Sequence, residues 1–195
     1  MNVRARQRER TREALLRESR RLFATRGYGK VSLSEIVGAA GVTKGALYHL
    51  FHSKAELFRA VLEQVQQEVS RTVAETADAE EDAWARFTAG CRAFLTASTA
   101  PDVQLIMLVD GPAVLGWNEW RAMDESGSAS HLADVIDELI TGGVIAPQPV
   151  APLTHLLSGA MNEAALWLAS SGDPEGGLAD VWPPLATMLD ALRVD

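Results

Sequence analysis

From about residue 11 onward the chain is written in helical periods. Leu15, Leu16, Ser19, Leu22 and Phe23 recur at the spacing of one helix face, with Arg12, Arg17, Arg20 and Arg21 on the other side. They predict a first helix over about 11–26, which Gly27 ends. Leu33, Ile36, Val37 and Ala40 predict a short second helix, and Val42, Ala46, Leu47, Leu50 and Phe51 the buried face of a third. Gly41 stands between them where the chain must stop and reverse, a place that favours positive φ. Thr43 can cap the helix that follows. Ser53 with Glu56 reads as a capping box for a fourth helix, whose apolar positions Leu57, Phe58, Val61, Leu62, Val65 and Val69 carry it to about residue 75.

The polar run 76–82 marks a boundary, and beyond it no period-two strand pattern appears. Trp84, Phe87, Cys91, Phe94 and Leu95 line a fifth helix. Pro101 is expected to open a sixth, as a first-turn proline, and Gly111-Pro112 to break it after Asp110. The stretch 113–123 carries Trp117, Trp120 and Met123 around Arg121. A seventh helix spans about 128–140, and residues 144–152, with three prolines, form a connection. The eighth, about 151–169, is apolar on most of its circumference and so must be covered on more than one side. In the last helix Pro183-Pro184 suits only a first turn, so it is expected to start near Pro183 or to follow a kinked segment from Gly176. The fold class is therefore all-α with about nine helices. Residues 1–54 form a three-helix N-terminal domain, a helix over about 54–75 connects, and 76–195 form a helical C-terminal domain.

The 195 residues, 47% hydrophobic, suit one soluble domain or a small domain joined to a larger one. The formal charge of −8 argues against a nucleic-acid partner only until its distribution is read. Residues 1–54 hold twelve Lys or Arg against four Asp or Glu, a net +8, and the remainder carries −16. One end is suited to phosphate and the other is not, although a solvated basic helix would explain the same split. Residues 1–10, with Arg4, Arg6, Arg8 and Arg10, predict a frayed start that lies along a DNA backbone, reaches into a minor groove or stays solvated. A single cysteine excludes an internal disulfide and a multi-Cys metal site. The arginine-rich start lacks the apolar core of a signal peptide, and no stretch approaches the roughly 20 apolar residues of a membrane span. A cytoplasmic protein with no membrane partner is expected.

Thr43, Lys44, Gly45, Tyr48 and His49 are left facing outward on the third helix. Helix, glycine turn and helix with a small, basic and aromatic exposed face is the make-up of a DNA-reading helix-turn-helix, though an ordinary αα-hairpin shares its outline. Catalysis finds no machinery. Cys91 lies on an apolar face with no activating His beside it, and His49-x-x-His52 has metal spacing without a further ligand. No enzyme activity, cofactor or metal is expected. The middle of the chain is rich in aromatic and sulfur side chains: Phe94, Met107, Trp117, Trp120, Met123, Met161 and Trp167, with Asp110, Arg121 and Asn162 as polar anchors. These suit a pocket for a flat, largely apolar molecule held by one or two hydrogen bonds, with Trp117 and Trp120 at its edge. They equally suit a filled core. Leu156, Ala160 and Trp167 in the eighth helix, and Leu185, Met188, Leu189 and Leu192 in the ninth, suggest a four-helix homodimer contact or the completion of a monomer core.

Gly27-Tyr28, Ser32-Leu33, Ile36, the run from Ala39 to Phe51, Ser53-Lys54 and Glu56-Leu57 resemble the tetracycline-repressor (TetR) family of transcriptional regulators over about residues 11–60. Val37, Leu50 and His52 depart from the family's usual alanine, aromatic or His, and proline. The resemblance implies that Thr43, Lys44 and Gly45 begin the recognition helix and enter the major groove, Lys44 donating to guanine or phosphate. It places Tyr48 and His49 on phosphates one turn on, with Ser32 and Lys54 clamping the DNA backbone on either side. It also implies a repressor that binds a palindromic operator as a homodimer and is released by a small-molecule effector of unknown identity, bound in the C-terminal domain. A ligand-independent or architectural DNA binder remains the alternative.

Overall fold

A computed structural model describes residues 3–125 and 127–194. Among these the chain forms ten α-helices and no strand: α1 Val3–Arg26, α2 Leu33–Ala40, α3 Lys44–Tyr48, α4 Lys54–Ala77, α5 Ala83–Ser98, α6 Gly111–Leu115, α7 Trp117–Glu125, α8 Ser128–Thr141, α9 Val150–Ser170 and α10 Pro174–Asp190. The all-α architecture is as expected, with one helix more than anticipated. They pack as two units, residues 3–65 with 101–120 and residues 66–100 with 121–194. Both α4 and α7 contribute residues to each unit.

In the first unit α1 already begins at Val3, where the sequence suggests a frayed segment to about residue 10. Residues 3–10 contain neither Gly nor Pro and are mostly Arg, Gln, Glu and Ala, all good helix formers. They extend a helix nucleated by its packed part, in which Leu15, Leu16, Ser19, Leu22 and Phe23 are buried. Residues 1 and 2 lie outside the described residues. Phe23, Tyr28 and Phe58 form a triangle of rings with centroids 5.1–5.7 Å apart, edge-on or tilted, joining the end of α1 to the start of α4.

Helix α2 starts at a complete capping box. Ser32 Oγ accepts from the Glu35 amide at 3.2 Å, while Glu35 Oε2 accepts from the Ser32 amide at 2.8 Å. Arg26 Nη1 donates to the other oxygen of Glu35 at 2.7 Å. Bonds from the Ser32 amide, the Arg26 guanidinium and the Ser32 hydroxyl pull the Glu35 carboxyl down to about 2. Gly41 ends α2 at φ 64°, its N–H bonded to the carbonyls of Val37 and Gly38. A residue with a Cβ is strained there, and the turn into α3 depends on it. At α4, Ser53 Oγ accepts from the Glu56 amide, but the Glu56 carboxylate reaches back to the His52 amide, one residue earlier than in a capping box.

Residues 101–115 depart from expectation. Pro101 opens a turn rather than a helix, and Leu105–Asp110 winds as a wide π-helix that runs directly into α6. Gly111-Pro112 does not break the helix, and Gly116 at φ 83° ends it. The cause is the hydrogen-bond register. The Gly111 N–H bonds to Ile106 O, so the next donor in that register would serve Met107 O. That donor is missing because residue 112 is proline. The indole of Trp120 supplies it: Nε1 donates to Met107 O at 2.8 Å, and the Trp120 side chain is wholly buried. Gly111 leaves the room, since a Cβ on it would lie 2.8 Å from Trp120 Cδ1.

In the second unit α5 is the central element, packing on α8, α9 and α10. It buries Phe87, Gly90, Cys91, Phe94 and Leu95. α10 starts at Pro174 with Asp173 Oδ1 accepting from the Gly176 amide, not near Pro183. Pro183 and Pro184 sit inside this helix on exposed positions. The carbonyls four residues earlier, at Ala179 and Asp180, are on exposed residues, so water can take the place of the missing donors. A bridge between Ile145 and Arg193 ties the tail back to the connection before α9. No helix among the described residues is long and apolar enough to cross a membrane.

Two outcomes follow from these local constraints. Gly111→Ala overpacks the indole and should destabilise the protein by about 1–3 kcal/mol in denaturant unfolding. The control is an alanine at exposed Gly38 of α2, where a Cβ meets nothing within 4 Å and stability should not fall. Glu35 has a folded-state pKa below its ordinary 4.5, so its contribution is complete above that value and is lost as pH falls towards 2. Glu35→Gln should therefore make the acid-side fall of stability shallower between those limits, read by circular dichroism.

Candidate nucleic-acid interface and inner cavity

Helix α3 has only five residues, too few to hold itself, and is set by its surroundings. Thr43 Oγ1 accepts from the Ala46 amide at 3.1 Å, and the wholly buried Leu47 pins the opposite face. The side left outside carries Thr43, Lys44, Gly45, Tyr48 and His49, all exposed, with Tyr48 at 52%. Five of the seven residues expected at DNA thus share one open surface. Ser32 is exposed too, its hydroxyl engaged with Glu35 at the start of α2. Lys54 is placed differently: its ammonium donates to Tyr28 O and lies 3.9 Å from the centre of the Tyr28 ring. Partial burial pushes its pKa down, and Asp110 and Glu35 partly oppose that. Further positive charge comes from α1, on which Arg4, Arg6, Arg8 and Arg10 are exposed.

The residues expected around an effector divide between the two units. Met107 and Trp120 are buried in the first unit, and Asp110 accepts from the Tyr28 amide at 2.6 Å. Trp117 is 57% exposed, with its ring 5.0 Å from that of Trp120. The second unit holds a small cavity of about 40 Å³. Phe94 and Met161 line it, with Phe87, Cys91 and Val135 beside them. Burial pushes the Cys91 thiol up to about 12, so it stays a neutral, apolar wall group.

The polar wall has no counterpart in the sequence pattern. Asp124, 3% exposed, accepts from Arg121 Nη1 at 3.2 Å, Asn162 Nδ2 at 3.0 Å and Ser158 Oγ at 3.4 Å. Arg121 and Asn162, both expected at a ligand, thus serve a buried carboxylate whose residue lines the cavity. Arg86, Ser128, His131 and Ser158 line it as well. The partners of Asp124 on α9 are 34–38 residues away, and helical periodicity carries no information about pairing at that distance.

On α9 and α10 the expected dimer residues also separate. Leu156, Trp167 and Met188 are exposed at 69%, 50% and 60%, and Ala160 and Leu192 are partly exposed. Leu185 and Leu189 are buried within the unit and complete its core.

Residues 15–61 match the family described as bacterial regulatory proteins, tetR family, and residues 84–192 match the tetracyclin repressor-like C-terminal domain. The Transposon Tn10 TetC protein of Escherichia coli is 27% identical over 149 residues, 76% of this chain and 75% of that protein. The transcriptional regulator TtgR of Pseudomonas putida is 39% identical over 57 residues, 29% of this chain and 27% of its own. A solved TetR-family transcriptional regulator from Pectobacterium atrosepticum is 35% identical, spans 100% of this chain and 99% of its own, and superposes with a TM-score of 0.86. With both halves matched and the helix-turn-helix in place, the chain belongs to the TetR family of DNA-binding transcriptional regulators.

Proposed function

We propose that the protein is a repressor that binds a palindromic operator as a homodimer and is released when a small, largely apolar effector occupies its C-terminal unit. The observation that carries this reading is the open face of α3: Lys44 and Gly45 at its start and Tyr48 with His49 one turn on, all exposed and held outward by Thr43 and Leu47. So few base contacts from one copy would discriminate poorly, which favours two copies on a symmetric site. Exposed Leu156, Trp167 and Met188 on the last two helices give the second copy an apolar surface to cover. Thr43, Lys44 and Gly45 would enter the major groove, and Ser32, Tyr48 and His49 would position the phosphates. In this reading Lys54 acts by fixing the turn at Tyr28 and contributes to DNA binding through its charge. A ligand-independent DNA binder is the second reading, favoured by the small size of the cavity.

Selection of bound sequences from a random duplex pool at near-physiological salt tests the proposal. A recovered palindrome is the expected result. Against that duplex, Lys44→Ala should cost about 1–3 kcal/mol of binding. Tyr48→Ala should weaken binding across all sequences, with the protein still dimeric in sedimentation. A pool without an enriched motif, or unchanged affinity in both variants, would overturn it.

A further inference from the structure

The first turns of α1 form a surface that the packed part of the helix does not use. Residues 3–10 are all exposed, roughly two turns of helix about 12 Å long. Arg4, Arg8 and Arg12 are spaced by four and so stack on one face. Continued in steps of three and four, that face becomes Leu15, Ser19 and Leu22, the buried side of α1, and α1 packs on α2 and α3. A side that meets protein further along therefore begins as a stripe of guanidinium groups. Glu9 and Glu13 lie off the stripe, Glu13 in line with Arg6, Arg10 and Arg17 on the opposite face.

The chemistry of the stripe selects its partner. Among residues 3–13 the apolar ones are Val3 and Ala5 alone. Neither the apolar centre of a protein interface nor the apolar side of a helix lying on a membrane can be built from them. Arg4 and Arg6 stand in the first turn, where the helix dipole disfavours cations and no acidic residue offsets them. An anion over that end removes the conflict, and guanidinium groups match phosphate oxygens in shape as well as charge. Duplex DNA carries a negative charge about every 1.7 Å of its axis, so a stripe of this length can meet several phosphates.

We propose that Arg4, Arg8 and Arg12 form a helical arm that binds the phosphate backbone of duplex DNA beside the site read by α3. Such an arm touches no base edge, so it adds affinity and salt dependence without sequence preference. The inference rests on the placement of α3 at DNA and needs neither the effector nor the repressor reading.

Fluorescence anisotropy of the full chain on a labelled duplex of arbitrary sequence, between about 50 and 200 mM salt, tests it. Arg4→Gln, Arg8→Gln and Arg12→Gln together keep good helix formers and remove the stripe. Arg6→Gln, Arg10→Gln and Arg17→Gln together remove the same charge from the opposite face, and the exposed pair of Arg17 with Glu18 is of little weight. The stripe variant should make the fall of log K with log salt shallower by about 2–3 for each copy bound, and the opposite-face variant by less than about one. Both should keep the wild-type helical spectrum. Equal losses in the two variants would mean a diffuse field and overturn the arm. A stripe variant that keeps the wild-type slope, and loses only binding to phosphatidylglycerol vesicles, would move the partner to a membrane surface and overturn it too. Lys44→Ala on the selected palindrome reads α3 separately, so failure of the arm and failure of the α3 reading are different results.

Discussion

One hydrogen bond organises the DNA-reading unit: the indole N–H of Trp120 on the carbonyl of Met107. Its necessity comes from Pro112, which cannot provide the donor that the π-helical register asks for, and its possibility from Gly111, which leaves space for the ring. Around that anchor Ile106, Met107 and Leu108 are buried. Asp110 is brought to the Tyr28 amide, at the turn where α1 hands over to α2. Ion pairs Arg20–Asp102 and Arg59–Glu119 lie along the same segment, but both are substantially exposed and contribute little by themselves. The buried indole and the aliphatic side chains beside it do most of the holding.

The open face of α3 is a consequence of what lies behind it. α3 is a single turn and a half, and nothing in its own length would keep it helical. Gly41 sets its direction, Thr43 its first turn and Leu47 its rotation, which leaves Lys44, Tyr48 and His49 outward. Positive charge is concentrated in the same segment of chain, while the acidic remainder carries the cavity and the apolar surfaces of α9 and α10. Phosphate attraction and an apolar surface demand opposite surroundings, and the chain keeps them in different segments.

Much of this is legible in the chain. The 3–4 periods of α1 and α4 name residues that are indeed buried; in α2 Ile36 and Val37 are buried while Leu33 and Ala40 are only half-buried, and Gly41 and Thr43 are readable because turn and cap chemistry is local. What escapes is non-local. Trp120 looks like a pocket edge in the sequence, since nothing in its neighbours announces a bond to a carbonyl thirteen residues away. Pro112 and Pro183 read as breaks, but one falls where a side chain replaces its missing donor and the other where solvent can. The helical start of α1 is hidden because its first turns bury nothing and rest on propensity. Arg86, His131 and Asp124 give no periodic signal, being polar residues whose meaning comes from partners on other helices.

Hydrogen exchange of wild type and Trp120→Phe, resolved by peptide, tests most directly whether the anchored segment holds the reading head. The phenyl ring fills most of the indole's space but leaves Met107 O without its donor. If the segment supports the head, protection should fall over 105–111 and also in α1, α2 and α3, as one cooperative unit. Loss confined to 105–120, with α1–α3 protected as before, would contradict the account.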